Sequence, residues 1–381
     1  MNRISTTLLI VIATLLYSCT TNKRTLEVHY LKERKLITET IPLDFIDTDG
    51  KLNSPYIDTI RFCRLDSMSF TNNHPDRDVQ HTTPVALDFS KKIQPYSPEY
   101  YSTYTIHYTT KAIEYYNRLF ESKIDFDYKP EYRTIEVCFG DFPGITTPDF
   151  YIYAERSNPS PSICFHEVGH RAFWYIQDPE KGLGVRFNGL SIVHMGLLEY
   201  FTMSLNNSPV VGEDCLPQKM IRDANRPNPY PLDDSLTIRH TLGLMVASYP
   251  TEMQNPNSNI AKYLSASYAT YSNEIMDKVY DNHRGGMTLA STLWRIRQAI
   301  GKEKTDKLVV QTILNLNQYM DERADFYSKD KIDTLPNKIE WCDVFYGLIQ
   351  QDGELFGGEN VSVITKEFEK TGYPIDLIIY Q

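Results

Sequence analysis

One five-residue stretch constrains this chain more than any other: His166-Glu167-Val168-Gly169-His170. Its neighbours Ile163, Cys164, Phe165, Val168, Ala172, Phe173, Trp174 and Ile176 are apolar on every side, so the pattern predicts a buried helix over about 162–176. On a helix, residues four apart share a face, which places both imidazoles side by side. Two core histidines satisfied by hydrogen bonds would be one outcome, because an unpartnered buried imidazole is penalised. The sharper outcome is a Zn²⁺ ion gripped by His166 and His170. Glu167 would then act as the general base that takes a proton from metal-bound water.

Such an ion needs a third protein ligand. A histidine six residues after His170 is excluded, because that position is Ile176. The next apolar helix, expected over about 191–205, carries one formally charged residue, Glu199. A lone carboxylate among apolar neighbours needs a cation or strong donors. The sequence leaves three readings for Glu199. It ligates the metal, which we favour. It supports a histidine from behind, with His194 or water completing a weak site. Or the site is degenerate and holds no metal.

These residues resemble the thermolysin-like gluzincin metallopeptidases. In that family the paired histidines are followed by a helix in which one glutamate binds zinc and an acid four residues later holds the first histidine. Gly196, Glu199, Tyr200 and Phe201 match that pattern, and Met195 departs from it, falling where the ligand glutamate is expected. A thioether is a poor Zn²⁺ ligand beside carboxylate or imidazole. The segment from Asn282 to Trp294 is similar to the one that carries the family's transition-state histidine. The resemblance implies that His283 donates a hydrogen bond to the developing oxyanion. Ile221 to Pro227 also resembles the family's R-D-x-x-N-P loop. The resemblance covers about residues 110–310 and implies a zinc metallopeptidase acting on peptide or protein substrates. Met195 keeps open a non-catalytic relic of that fold, used for binding or scaffolding.

The chain begins as an export signal. Arg3 precedes an apolar run from Leu8 to Leu16, too short to span a bilayer, and the run ends in Leu16-Tyr17-Ser18-Cys19. That ending resembles the bacterial lipobox, which implies a lipid on Cys19 and a mature protein anchored to the cell-envelope membrane, with the outer membrane expected. No C-x-x-C pair marks a cysteine zinc site, and the five cysteines beyond Cys19 leave at least one thiol free. The chain carries 39 Lys and Arg against 49 Asp and Glu, a net charge of −10, which argues against a nucleic-acid partner.

The expected fold is α+β. It is a thermolysin-like (zincin) core with a β-containing N-terminal half and an α-helical C-terminal half. Residues 1–19 form the signal and 20–109 a β-rich extension without a periodic helix. Residues 110–235 form a zincin N-lobe and 236–381 a helical C-lobe. A helix begins at Thr110, strands are expected at 134–139 and 150–154, and helices recur after 238. Gly301 and Gly372 read as helix stops.

Overall fold

The computed structural model describes residues 24–47, 51–71, 74–140, 148–187, 192–213, 216, 218, 221–226, 236–248, 250–258, 261–262, 265, 276–277, 281–328 and 339–375. The expected signal and Cys19 lie outside these residues, as do most of residues 259–280 and Cys215.

The chain is a mixed α+β protein. A hairpin of β1 (Thr25–Lys32) and β2 (Lys35–Pro42) turns through Glu33 and Arg34, both at positive φ. Its alternation turns Leu26, Val28 and Tyr30 inward. A second sheet has the order β4–β3–β5–β6, from β3 (Thr59–Thr71), β4 (His74–Val85), β5 (Thr134–Phe139) and β6 (Phe150–Tyr153). Strands β3, β5 and β6 run parallel, and β4 is an antiparallel edge. Ile135, Val137 and Phe139 face the main core, while Cys63, Cys138, Phe150 and Ile152 pack together as a small second cluster. Cys63 and Cys138 are register partners on β3 and β5 and form a disulfide; among the described residues Cys164 and Cys342 form none.

A parallel pair needs a crossover, and helix α1 (Pro98–Leu119) lies in the one from β3 to β5. This corrects two expectations. The helix starts at Pro98, not Thr110, and the expected boundary at 109/110 falls inside it. Strand β3, assigned by sequence to an extension, pairs with β5 in one sheet. The physical reason is that α1 buries tyrosines. Tyr100, Tyr101, Tyr104 and Tyr108 are all buried, but a tyrosine run reads as polar when only aliphatic periodicity is sought. The start is fixed by Ser97, whose side chain accepts from the Tyr100 amide, and by Pro98 in the first turn. Two of these phenols donate across the fold, Tyr101 to the Ser157 carbonyl at 2.5 Å and Tyr108 to Glu39 at 2.8 Å.

The two helices expected over 162–176 and 191–205 lie within a residue of those spans. Helix α2 (Pro161–Gln177) carries the paired histidines, and α3 (Ile192–Asn206) is buried along nearly its whole length. A short ribbon of β7 (Val210–Val211) and β8 (Arg222–Asp223) follows, then α4 (Ile238–Ser248) and α5 (Pro250–Met253). Next come α6 (Asn282–Ile300), α7 (Lys302–Ser328), α8 (Trp341–Phe356) and α9 (Val361–Thr371). Gly301 and Gly372 do end helices, at φ of 93° and 91°. Among the described residues no helix is long and apolar enough to cross a membrane.

Candidate metal centre

Helix α2 starts at Pro161, a residue suited to a first turn, and buries both faces of its central turns. Gly169 explains how it fits. A side-chain carbon built there would lie 2.7 Å from the Tyr116 hydroxyl of α1 and 3.1 Å from Leu198 of α3. The absent side chain therefore lets three helices converge between the two histidines.

A second close approach brings in a distant residue. Helices α3 and α6 meet at Gly196 and Gly286. A carbon on Gly196 would lie 2.9 Å from the Gly286 carbonyl oxygen, and one on Gly286 would lie 2.8 Å from the Gly196 amide nitrogen. The first turn of α6, capped by Asp281, which accepts from the Arg284 amide at 2.9 Å, is thereby held over α2. His283 lies in that turn. Its ring stacks on that of His166, with centroids 5.4 Å apart, while His166 and His170 meet edge to face at 4.8 Å.

His166, His170 and His283 each offer a ligand nitrogen, and these three atoms all lie within 4.8 Å of one another. The expected set of His166, His170 and Glu199 is not what the fold groups. Glu199 is fully buried on α3, and its Oε1 pairs with Arg222 on β8 and lies 3.4 Å from Nδ1 of His166. It sits behind the ring of His166, and the sequence had no means of pairing it with an arginine 23 residues away. The β7–β8 ribbon is what returns Arg222 to α3. His194 is not in the group either. Its Nδ1 lies 2.6 Å from Gln177 Nε2, and its ring packs against Phe173 and Phe187, 5.7 Å from the ring of His170. Met195 is buried at the glycine crossing, close to Gly286. Glu167 is buried beside His166.

Burial holds His166 and His170 well below the ordinary imidazole value, with the charge of Arg222 adding to the effect. Burial, again with Arg222, brings His283 down to about 4, and burial alone brings His194 to about 4. All four rings are therefore neutral at neutral pH, the form that binds metal. Nδ1 of His166 faces the Glu199 carboxylate at 3.4 Å, whereas Nδ1 of His170 has no hydrogen-bond partner among the described residues. An unsatisfied buried nitrogen on His170 is not what a hydrogen-bonded core histidine would show, and it fits a nearby cation. Three imidazoles suit Zn²⁺, and equally Cu, Fe or Ni.

Sequence reasoning missed two neighbours. Arg222 was visible only as part of a loop resemblance. Trp174, whose ring stacks on His170 at 5.5 Å, continues the face of His166 and His170 by four residues, a spacing that could have singled it out. The chain matches no protein-family model, and no curated protein is similar to it.

Proposed function

We propose that the chain is a Zn²⁺-dependent peptidase, exported and tethered to the cell-envelope membrane by a lipid on Cys19. The observation that carries the reading is the convergence of three neutral imidazoles, two buried and that of His283 half-buried, beside a buried glutamate. His166, His170 and His283 would hold the ion. When bound, Zn²⁺ supplies a Lewis acid and a water that deprotonates near pH 7. Glu167, next to His166 in sequence, accepts the proton from the attacking water and returns it to the leaving amine. Glu199, held by Arg222, faces Nδ1 of His166, fixes the ring and makes it a better donor. His283 cannot hold the ion and donate to an oxyanion through the same nitrogen. Its grouping with His166 and His170 favours the ligand role over the role that the family resemblance implies. The Cys63–Cys138 disulfide supports the exported reading, because such bonds persist in oxidising compartments.

The test is metal content and peptide hydrolysis of the purified mature protein. The proposal expects one zinc per chain, retained in Glu167→Ala without hydrolysis and lost in His283→Ala. Retention of zinc by His283→Ala without activity would return His283 to oxyanion stabilisation. A second reading, a non-catalytic relic of the peptidase fold, is favoured by Met195, buried where the resembling family has a ligand glutamate. A protein that takes up no zinc after gentle purification would establish it.

A further inference from the structure

The face of α2 that bears the histidines does not stop at His170. His166, His170 and Trp174 follow at intervals of four, and past Trp174 a cavity of about 510 Å³ opens, with Tyr128, Lys129, Asp178 and Glu180 in its walls. Lys129 occupies an unusual place in it. Its Nζ lies 5.6 Å from the ring centre of Tyr128 and 5.5 Å from those of Tyr132 and Trp174. A ring attracts a cation through the negative charge of its face, and three rings around one point form an aromatic cage. Tyr128 and Tyr132 meet edge to face, and Tyr132 stacks on Trp174, so the rings brace one another. At the rim stand two carboxylates, Asp178 and Glu180, with Lys181 beside them, its Nζ 3.4 Å from the Tyr128 carbonyl oxygen, while the Arg171 guanidinium lies over Tyr132 at 5.1 Å from the ring centre.

We propose that this cage is a subsite for a lysine or arginine side chain of a peptide, with Lys129 as the resident cation that the incoming one displaces. The ring faces attract positive charge, and two of the rings, Tyr128 and Trp174, line the open cavity, with Tyr132 buried behind them. Trp174 is four residues beyond His170, about 6 Å along the helix axis. An extended peptide advances about 3.3 Å per residue, so the cage would read a side chain roughly two residues from the bond held at the imidazoles. That last placement rests on the peptidase proposal; the cation site itself does not.

The test is isothermal titration of the full chain with N-acetyl-lysine methylamide, using the norleucine and glutamate analogues as controls. In Lys129→Met the cage loses its occupant, and the lysine probe is expected to bind roughly tenfold more tightly than to the native chain. Lys129→Arg keeps a resident cation and should bind as the native chain does, which separates occupancy from any loss of folding. Glu180→Gln, an exposed change, should weaken binding of the lysine probe to Lys129→Met. The proposal is overturned if Lys129→Met prefers norleucine or shows no gain. It is also overturned if the glutamate probe binds best and Lys129→Met abolishes that binding. The titrations are repeated after metal chelation. Binding of the lysine probe that survives chelation stands even if the chain proves to hold no zinc.

Discussion

Two buried carboxylates flank the same stretch of α3, and their surroundings differ in kind. Asp306, on α7, accepts hydrogen bonds from Tyr115 at 3.0 Å, from Tyr200 at 2.6 Å and from Ser204 at 2.7 and 2.9 Å. Both of its oxygens are engaged by neutral hydroxyls that come from α1 and α3. Glu199, one residue before Tyr200, meets a guanidinium and an imidazole through one oxygen, while its Oε2 has no hydrogen-bond partner among the described residues. A buried polar network that is fully satisfied ties elements together, and one left partly satisfied marks a place where something other than stability has set the residues. Asp306 therefore reads as a knot joining three helices. Glu199 reads as the back wall of the imidazole cluster, where the proposed ion would complete the balance.

The largest expected effect is on the knot. Asp306→Ala strands three buried hydroxyls, each at about 1–3 kcal/mol, so a loss of about 3–5 kcal/mol is expected in urea denaturation. Zinc content per folded chain should not change. A loss below about 1 kcal/mol would show that Asp306 does not hold the helices together.

Glu199→Gln strikes the other carboxylate. Glutamine keeps an oxygen for Arg222 but removes the negative charge that faces His166. Losing such a group behind a ligand typically weakens metal binding about 10–100-fold, measurable by competition with a chelator. Zinc affinity equal to that of the native chain would mean that Glu199 serves packing alone, and the contrast with Asp306 would vanish.

Acid should distinguish the two regions in the metal-free protein. An unfolded imidazole titrates near 6.5. Burial lowers all four clustered rings, His194 and His283 to about 4. Between about pH 6.5 and 4 the unfolded chain binds more protons than the folded one, so the stability present above 6.5 is lost as the pH falls. The tyrosines around Asp306 do not share in this, because burial raises Tyr115 and Tyr200 well above their ordinary value and they stay protonated throughout. Urea midpoints from pH 7.5 to 5 should fall, and His194→Gln should make the fall shallower. A flat profile would mean that the imidazoles are more exposed to water than their burial indicates.

The same contrast explains what could be read from sequence. Helices such as α2 and α3 are near-continuous apolar runs, and β5 alternates, so local pattern located them within a residue or two. His166, Glu167 and His170 were legible because one helical turn fixes their relation. The start of α1 was not, because its buried face is made of tyrosines whose partners, such as Ser157 and Glu39, lie far along the chain. The grouping of His283 with His166 depends on two glycines, Gly196 and Gly286, whose facing positions are set only by the packing of α3 on α6. Likewise, reasoning from burial alone correctly required a partner for Glu199, yet could not choose between a metal and Arg222.

The smallest effect tests whether the two networks are separate despite sharing a helix. Glu199 and Tyr200 are consecutive, and consecutive helical residues point about 100° apart, so one faces the imidazoles and the other faces α7. Tyr200→Phe removes a single donor to Asp306 and leaves the ring in place. Two donors remain, Tyr115 and Ser204, so the expected loss is only about 1 kcal/mol. Zinc affinity should match that of the native chain, because the ring still fills its space and Glu199 keeps its contacts with Arg222 and His166. A drop in zinc affinity of tenfold or more in Tyr200→Phe would join what the structure separates. It would mean that the position of α3, set by the Asp306 knot, governs how Glu199 meets His166.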